Sequence, residues 1–168
     1  MITTNGPKAP LMGKAANLLM KHGKKSKAER IIFEAFSQAR QGAVAQGAAA
    51  PQSAEGQADG RPRQHAGQRE AEALLSRAIN NVKPVIEIKS VRIAGTTYKV
   101  PAPIRWERQK TLAMRWIIEA ARGRSGSMSK KLALELIDAL KKQGTVIKRR
   151  DVLYQEAEHN RAFSHYRW

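Results

Sequence analysis

Residues 85–101 read Val-Ile-Glu-Ile-Lys-Ser-Val-Arg-Ile-Ala-Gly-Thr-Thr-Tyr-Lys-Val-Pro, and this stretch decides the fold because no other segment has its character. Ile86 and Ile88 alternate with Glu87 and Lys89, and Tyr98 and Val100 flank Lys99 on the return side of an Ala94-Gly95 turn. Period-two alternation around a short glycine-containing turn is the signature of a β-hairpin. Val91 and Ile93 fall out of phase with Ile86 and Ile88, which predicts a bulge in the first strand. No other segment offers a strand to widen the pair. A lone two-stranded ribbon is marginal in water, so this one is either packed on helices at its base or held by a partner at its tip.

Outward from the ribbon the apolar period becomes helical. Ala71, Leu74, Leu75, Ala78 and Ile79 predict a third helix that Pro84 ends. On the other side, a fourth helix is expected from about Trp106 to Arg122, with Ala113, Ile117, Ala120 and Ala121 on one face. A fifth follows the loop at 123–127 and continues to Lys142 through Leu132, Ala133, Leu136, Ile137, Ala139 and Leu140, with Gly144 as its stop. A sixth begins near Arg149 and reaches about Ala162. Toward the N-terminus, Leu11, Ala15, Leu18 and Leu19 mark a first helix to Lys21, and Ser26-x-x-Glu29 has the pattern of a capping box opening a second through Arg40. The tight basic turn His22-Gly23-Lys24-Lys25 joins these two.

Two stretches break the pattern. Residues 1–10 carry Gly6, Pro7 and Pro10 and no apolar period, so they read as irregular. Residues 41–69 are dominated by Ala, Gln, Gly and Pro, with Val44 the one branched aliphatic, and read as a low-complexity, flexible insertion. The expected fold is mainly α: a single domain over 11–168, of about six helices, with a protruding β-hairpin (85–101) between the third and fourth.

Composition narrows the function. The 168 residues hold 31 Lys+Arg against 14 Asp+Glu, a formal net charge of +17, and no cysteine. Disulfides, thiolate zinc sites and cysteine nucleophiles are excluded together. The four histidines, His22, His65, His159 and His165, include no pair at the i, i+4 spacing of a helical zinc site, and the chain has no phosphate-binding glycine loop and no nucleophile elbow. No apolar run approaches the ~20 residues that span a bilayer. The expectation is a non-enzymatic protein with no cofactor, no metal, no small-molecule substrate and no membrane. A surface with this excess of positive charge calls for a polyanion.

The cations fall in clusters. Lys21, Lys24, Lys25, Lys27 and Arg30 surround the first interhelical turn. Arg92 and Lys99, with Lys89, decorate the ribbon, and Lys83 precedes it. Arg105, Arg108, Lys110, Arg115, Arg122 and Arg124 follow it, with Arg108, Arg115 and Arg122 on a single helical stripe that Glu119 partly neutralises. Lys148, Arg149 and Arg150 open the last expected helix, where backbone amides already favour an anion. Glu135 and Asp138, beside Lys141 and Lys142, read as ordinary surface ion pairs. Charge spread over several elements suits a folded phosphate backbone better than one helix in one groove. RNA is favoured over duplex DNA, because a basic ribbon with Thr96, Thr97 and Tyr98 near its tip suits irregular grooves and can offer an aromatic for stacking. Tyr98 could equally cover the helices. Trp116 sits among core positions, and Trp106, beside Arg105 and Arg108, could serve either role.

Several motifs carry a resemblance. Asn81-Val82-Lys83-Pro84, then Ala94-Gly95-Thr96-Thr97-Tyr98-Lys99-Val100-Pro101, then Leu112-Ala113-Met114-Arg115-Trp116-Ile117 resemble the small-subunit ribosomal protein family number seven. The closing Asn160-Arg161-Ala162-Phe163-Ser164-His165-Tyr166-Arg167-Trp168, and Leu19-Met20 through Gly23-Lys24-Lys25-Ser26, are similar to that family as well. The resemblance implies six helices with a ribbon between the third and fourth. It also implies a constituent of the small ribosomal subunit that binds the 3′ major domain of small-subunit rRNA and organises the head. The ribbon tip, Ala94, Gly95, Thr96, Thr97 and Tyr98, would then lie near the exit-site tRNA and the mRNA path, beside the family-eleven protein. Carried onto this chain, the rRNA-contacting positions are Lys24, Lys25, Lys27, Arg92, Lys99, Arg108, Arg115, Lys148, Arg149 and Arg150; the wider set of candidate rRNA-contacting cations adds Lys21, Arg30, Lys83, Arg105, Lys110, Arg122, Arg161 and Arg167. The near absence of a basic N-terminal arm, the 41–69 insertion and the wording of 107–112 are closer to plant or algal mitochondrial members. That points to a mitochondrial ribosome, with a bacterial cytoplasm or a plastid as the alternative. The rival to the whole reading is a free-standing, nucleoid-type DNA-binding protein.

Overall fold

The computed structural model describes residues 11–45 and 64–166. In chain order it runs α1 (Leu11–Leu19), α2 (Lys25–Ala45), α3 (Gln64–Val82), β1 (Ile86–Ile93), β2 (Thr96–Pro103), α4 (Trp106–Gly123), α5 (Met128–Leu140), α6 (Thr145–His159) and a closing 3-10 helix, Arg161–Tyr166. The fold is mainly helical, with the antiparallel hairpin between α3 and α4 as the sequence indicates.

Helix α5 occupies the centre and packs against α2, α3 and α4. Its Leu132, Ala133, Leu136, Ile137 and Ala139 are buried, so its wide apolar face is used on several sides. Ala28, Ala35 and Ala39 of α2 and Ala113 and Ala121 of α4 are buried too, and small side chains there let the backbones approach. Larger residues such as Ile32, Ile79, Met114 and Ile117 fill the space between, at about 1.5–3 kcal/mol of burial each. Asn81, the first residue of one of the shared motifs, has a structural task. Its Nδ2 donates to the carbonyls of Ala139 (3.1 Å) and Leu140 (3.3 Å) at the end of α5, where the Ala139 carbonyl also accepts from the Lys142 amide.

The hairpin is regular. Pairing runs from Ile86↔Pro103 to Ile93↔Thr96 with no residue unpaired, so the expected bulge is absent. The phase change has another cause. Facing residues share a side of the ribbon, so Ile86 and Ile88 lie with Pro101, while Val91 and Ile93 lie with Tyr98 and Val100 on the opposite side. Both sides of the ribbon carry apolar residues. Ala94 (φ +49°) and Gly95 (φ +85°) form the tip, and two successive positive φ values fit the primed turn that matches strand twist.

Further boundaries differ from expectation. Helix α2 begins at Lys25, so Ser26 lies inside its first turn and the capping box is not the start signal. It also runs past Arg40 to Ala45, and α3 begins at Gln64 rather than Ala71. The stretch read as one insertion over 41–69 therefore overlaps both helices, and a Cβ at Gly42 would lie 2.7 Å from Ile137 Cδ1 of α5. Alanine-rich sequence continues a helix wherever a neighbour covers it, which composition alone does not reveal. Residues 46–63 and 1–10, with Arg167, lie outside the described residues. Helix α5 stops at Leu140, with Lys142 (φ +57°) in the left-handed position usually left to glycine.

The start of α6 matters most. It begins at Thr145 after Gly144 (φ +93°), four residues before Arg149. Lys148, Arg149 and Arg150 thus lie past its first three residues, and the Lys148 amide already donates to Gly144 O. The open amides invoked for this cluster are not beside it.

Candidate nucleic-acid interface

The cations divide into two groups by their partners. Arg149 Nη1 donates to Glu119 Oε2 of α4 at 2.7 Å, and its guanidinium lies 5.0 Å from the Trp116 ring centroid. Arg150 donates to the backbone carbonyl of Asn81 and to Asp151 Oδ1, and lies over the Tyr154 ring. These two side chains hold α6 to α4 and α3. Lys99 pairs with Glu156 at 2.6 Å, and Arg108 makes a two-pronged bond to Glu87 at 2.6 and 2.8 Å. Arg108 holds the Glu87 carboxyl below its ordinary value through those bonds, against the opposing effect of partial burial. Lys25 and Arg30 make loose 3.8 Å pairs with Glu29 and Glu34 on the same helix.

The second group has no ion-pair partner among the described residues: Lys21, Lys24 and Lys27, the tip residue Arg92, Arg105, Arg115, Arg122, Lys148 and Arg161. Lys83 and Lys110 lack a carboxylate too, and both lie over the Trp106 ring. Three of the unpaired set converge with a fourth from a distant element. A groove of about 360 Å³ is lined by Lys21, Lys24, Lys27 and His22 from the α1–α2 turn, Arg122 from the end of α4, and an apolar floor including Leu19, Met20, Ile31 and Met128. No carboxylate lines it. The α1–α2 turn takes its shape from His22 (φ +53°) and Gly23 (φ +72°), and α4 brings Arg122 to it because α1 packs on α4. Sequence grouped the first three lysines and placed Arg122 on a separate stripe; the fold joins them.

A second groove, of about 540 Å³, is larger and of the opposite kind. Between α4, α5 and α6, it is lined by Arg124 and Arg149 and also by Glu119 and Glu135. Glu135, read from sequence as a surface ion-pair residue, is 2% exposed. Arg124 Nε donates to its Oε1 at 2.6 Å, and Arg124 Nη2 to Asp138 Oδ2 at 2.5 Å. These bonds, that to Glu135 first, raise the Arg124 guanidinium above its ordinary value. A Cβ on Gly144 would stand 3.1 Å from Asp138 Cβ. This ion network, anchored on the buried Glu135, ties the loop between α4 and α5 to α5. The loop basic residue Arg124 gives no sequence sign that it is structural, because its partners lie 11 and 14 residues on.

The ribbon packs against α6 and the closing 3-10 helix, while residues 94–97 at its tip are exposed. Tyr98 lies 5.2 Å from Phe163 and 5.3 Å from Tyr166, centroid to centroid, so the C-terminal aromatics hold it. Its ring therefore covers protein. The Tyr154 hydroxyl accepts a bond from the Val85 amide at the base. Trp116 is buried, as its position among apolar residues indicates, whereas Trp106 is 47% exposed. Among the described residues no cluster of His, Asp and Glu could hold a metal ion, and no helix is long and apolar enough to cross a membrane.

Fold and charge define a basic, mainly helical protein that leaves one set of cations without ion-pair partners among the described residues and gathers part of it round an acid-free groove. Comparison with known proteins makes the class specific. The family model for ribosomal protein S7p/S5e matches residues 3–161. The small ribosomal subunit protein uS7 of Nitrosococcus oceani is 42% identical over 158 residues, covering 94% of this chain and 86% of that protein. That of Vibrio campbellii is 38% identical over 162 residues, covering 96% and 88%. That of Blochmanniella pennsylvanica is 42% identical over 159 residues, covering 94% and 86%. The chain belongs to the ribosomal protein S7p/S5e family, which is structural and not enzymatic.

Proposed function

We propose that this chain is a structural constituent of the small ribosomal subunit that binds the 3′ major domain of its rRNA, organises assembly of the head, and presents the ribbon tip near the exit-site tRNA and the mRNA path. The supporting observation is the groove in which Lys21, Lys24, Lys27 and Arg122 face solvent with no carboxylate among them. Unneutralised cations on a concave surface gain most from phosphates, and each phosphate contact releases counterions from the RNA. Arg92, Arg105, Arg115, Lys148 and Arg161, also without ion-pair partners among the described residues, are the cations we assign to further RNA helices. Arg108, Arg149 and Arg150 act through the architecture, holding ribbon and helices where the free cations need them. The family-eleven protein is the protein neighbour we assign to it.

The relatives at hand are bacterial, which favours a bacterial-type ribosome as the setting. A mitochondrial ribosome is the narrower assignment, supported by the 107–112 wording and the alanine- and glutamine-rich connection. Sedimentation separates the two: the chain should travel with the small subunit of a purified organelle ribosome and survive a high-salt wash only if the narrower assignment holds.

The binding test is a competition assay at matched salt. A folded 3′ major-domain rRNA should displace the protein from duplex DNA of equal length at far lower concentration. Equal affinity for both would support a general DNA-binding protein instead.

A further inference from the structure

We propose that Trp106, with Lys83 and Lys110, forms a stacking site for one unpaired RNA nucleotide, an assignment that rests on the RNA-binding reading above. The ribbon's register creates the site. Pairing ends at Ile86↔Pro103, and one step beyond it the Ile104 amide donates to Val85 O at 3.0 Å. Continued two steps further, the same register sets Lys83 opposite Trp106. Lys110 lies one turn along α4 from Trp106. The result is an indole with the Lys83 ammonium 4.4 Å and the Lys110 ammonium 4.0 Å from its ring centroid.

Three features point to a nucleotide. Trp106 is 47% exposed and Val85 52%, whereas Trp116 on the same helix is 7% exposed, so much of the Trp106 indole stands in water. The two ammonium groups crowd one ring, and among the described residues the only other polar partner of either is Asn80 Oδ1, 3.1 Å from Lys83 Nζ. Like charges gathered this way repel, and an anion shared between them relieves the repulsion. A base with its phosphodiester answers each feature: the indole takes the base face and the ammonium groups take the phosphate. An exposed cation–π contact is weaker than base stacking combined with charge-assisted phosphate bonds, so the lysine heads yield the ring face to the base. Bases inside a duplex have no free face. The site therefore senses an unpaired nucleotide, without preference for its identity.

The test titrates the full-length protein with a short single-stranded RNA and with its duplex form at fixed salt, following affinity and tryptophan fluorescence. The single strand should quench the wild type, and the difference between wild type and Trp106→Leu should carry the quench. Trp106→Leu should weaken single-strand binding roughly tenfold and leave duplex binding unchanged, while Trp106→Phe, which keeps an aromatic face, should stay within about twofold. Circular dichroism melting checks that both variants fold, as a half-exposed position allows. Equal single-strand binding by wild type and Trp106→Leu overturns the proposal. So does an unchanged titration with Trp106→Leu lost from assembled subunits, which would assign the patch to a protein neighbour. The broader rRNA reading is measured separately, by reversing Lys24, Lys27 and Arg122. If that variant keeps its rRNA affinity the broader reading fails, whatever Trp106→Leu does.

Discussion

The two grooves of this domain differ in a way that separates charge from available charge. The larger one, between α4, α5 and α6, holds two arginines and two glutamates that satisfy one another, one of them in the interior. The smaller, at the α1–α2 turn and the end of α4, holds four cations without ion-pair partners among the described residues, over an apolar floor. Size would favour the first as a binding site, and electrostatics favours the second. An ion pair already formed inside the protein must be broken before it can serve a phosphate, whereas an unpaired surface cation loses only water and counterions. The basic run at Lys148-Arg149-Arg150 shows both kinds within three residues: Lys148 is free among the described residues, and its two neighbours are tied down.

The sharpest way to break this comparison is in the larger groove. Arg124→Ala leaves Glu135 buried without its cation, and breaking a buried pair from one side costs about 3 kcal/mol. Chemical denaturation should show that loss, while rRNA affinity per folded molecule stays the same. An affinity loss without a stability loss would make Arg124 a contact residue. Next in size is the smaller groove, with the signs exchanged. Reversing Lys24, Lys27 and Arg122 to Glu removes three phosphate contacts at 0.7–0.9 log unit each per decade of salt, about a hundredfold in affinity near 0.15 M. The melting temperature should hold, since none of the three has an internal partner among the described residues.

A smaller effect sharpens the division inside one cluster. Arg149→Ala removes the pair with Glu119, half-exposed on both sides, and should lower stability by under about 1 kcal/mol. Lys148→Ala should leave stability alone and lower the salt dependence of binding by about one contact. If the two exchanged roles, the sorting by partner would be wrong. The smallest effect is titrational. Glu87 has a folded-state pKa below its ordinary value near 4.5, so its contribution is complete above that pH and is lost as pH falls through the folded value. Glu87→Gln should therefore lower stability slightly at neutral pH, flatten the acid limb below pH 4.5, and converge with the wild type once the carboxyl is protonated.

Much of the architecture was legible because periodicity reports burial. Ala113 and Ile117, or Leu132 and Leu136, announce a buried helical face without reference to the rest of the chain. The hairpin was equally plain from Ala94-Gly95 and its β-branched flanks. What escaped depended on residues far apart. Val91 and Ile93 looked like a bulge because the side they share with Tyr98 and Val100 is set by pairing, and the aromatic ring Phe163 that meets Tyr98 there comes 65 residues after it. Helix α2 ran past Arg40 because α5 covers Gly42. The start of α6 was misplaced because the burial of Val146 and Ile147, which sets its first turn on the core, depends on packing with distant elements. For the interface, sequence found most of the cations and could not sort them. Arg124 and Arg149 become structural only once Glu135 and Glu119 are placed beside them, and Arg122 joins Lys24 only through packing of α1 on α4. Trp106 was left between two roles for the same reason, since Lys83 reaches it across the closed base of the ribbon.

The decisive measurement is the salt dependence of binding to the 3′ major-domain rRNA, compared among wild type, the Lys24, Lys27 and Arg122 reversal, and Arg149→Ala. If unpaired cations form the interface, the reversal lowers the slope of log affinity against log salt by two units or more, and Arg149→Ala leaves it as in the wild type. A slope that falls equally in both variants, or only in Arg149→Ala, would contradict the account.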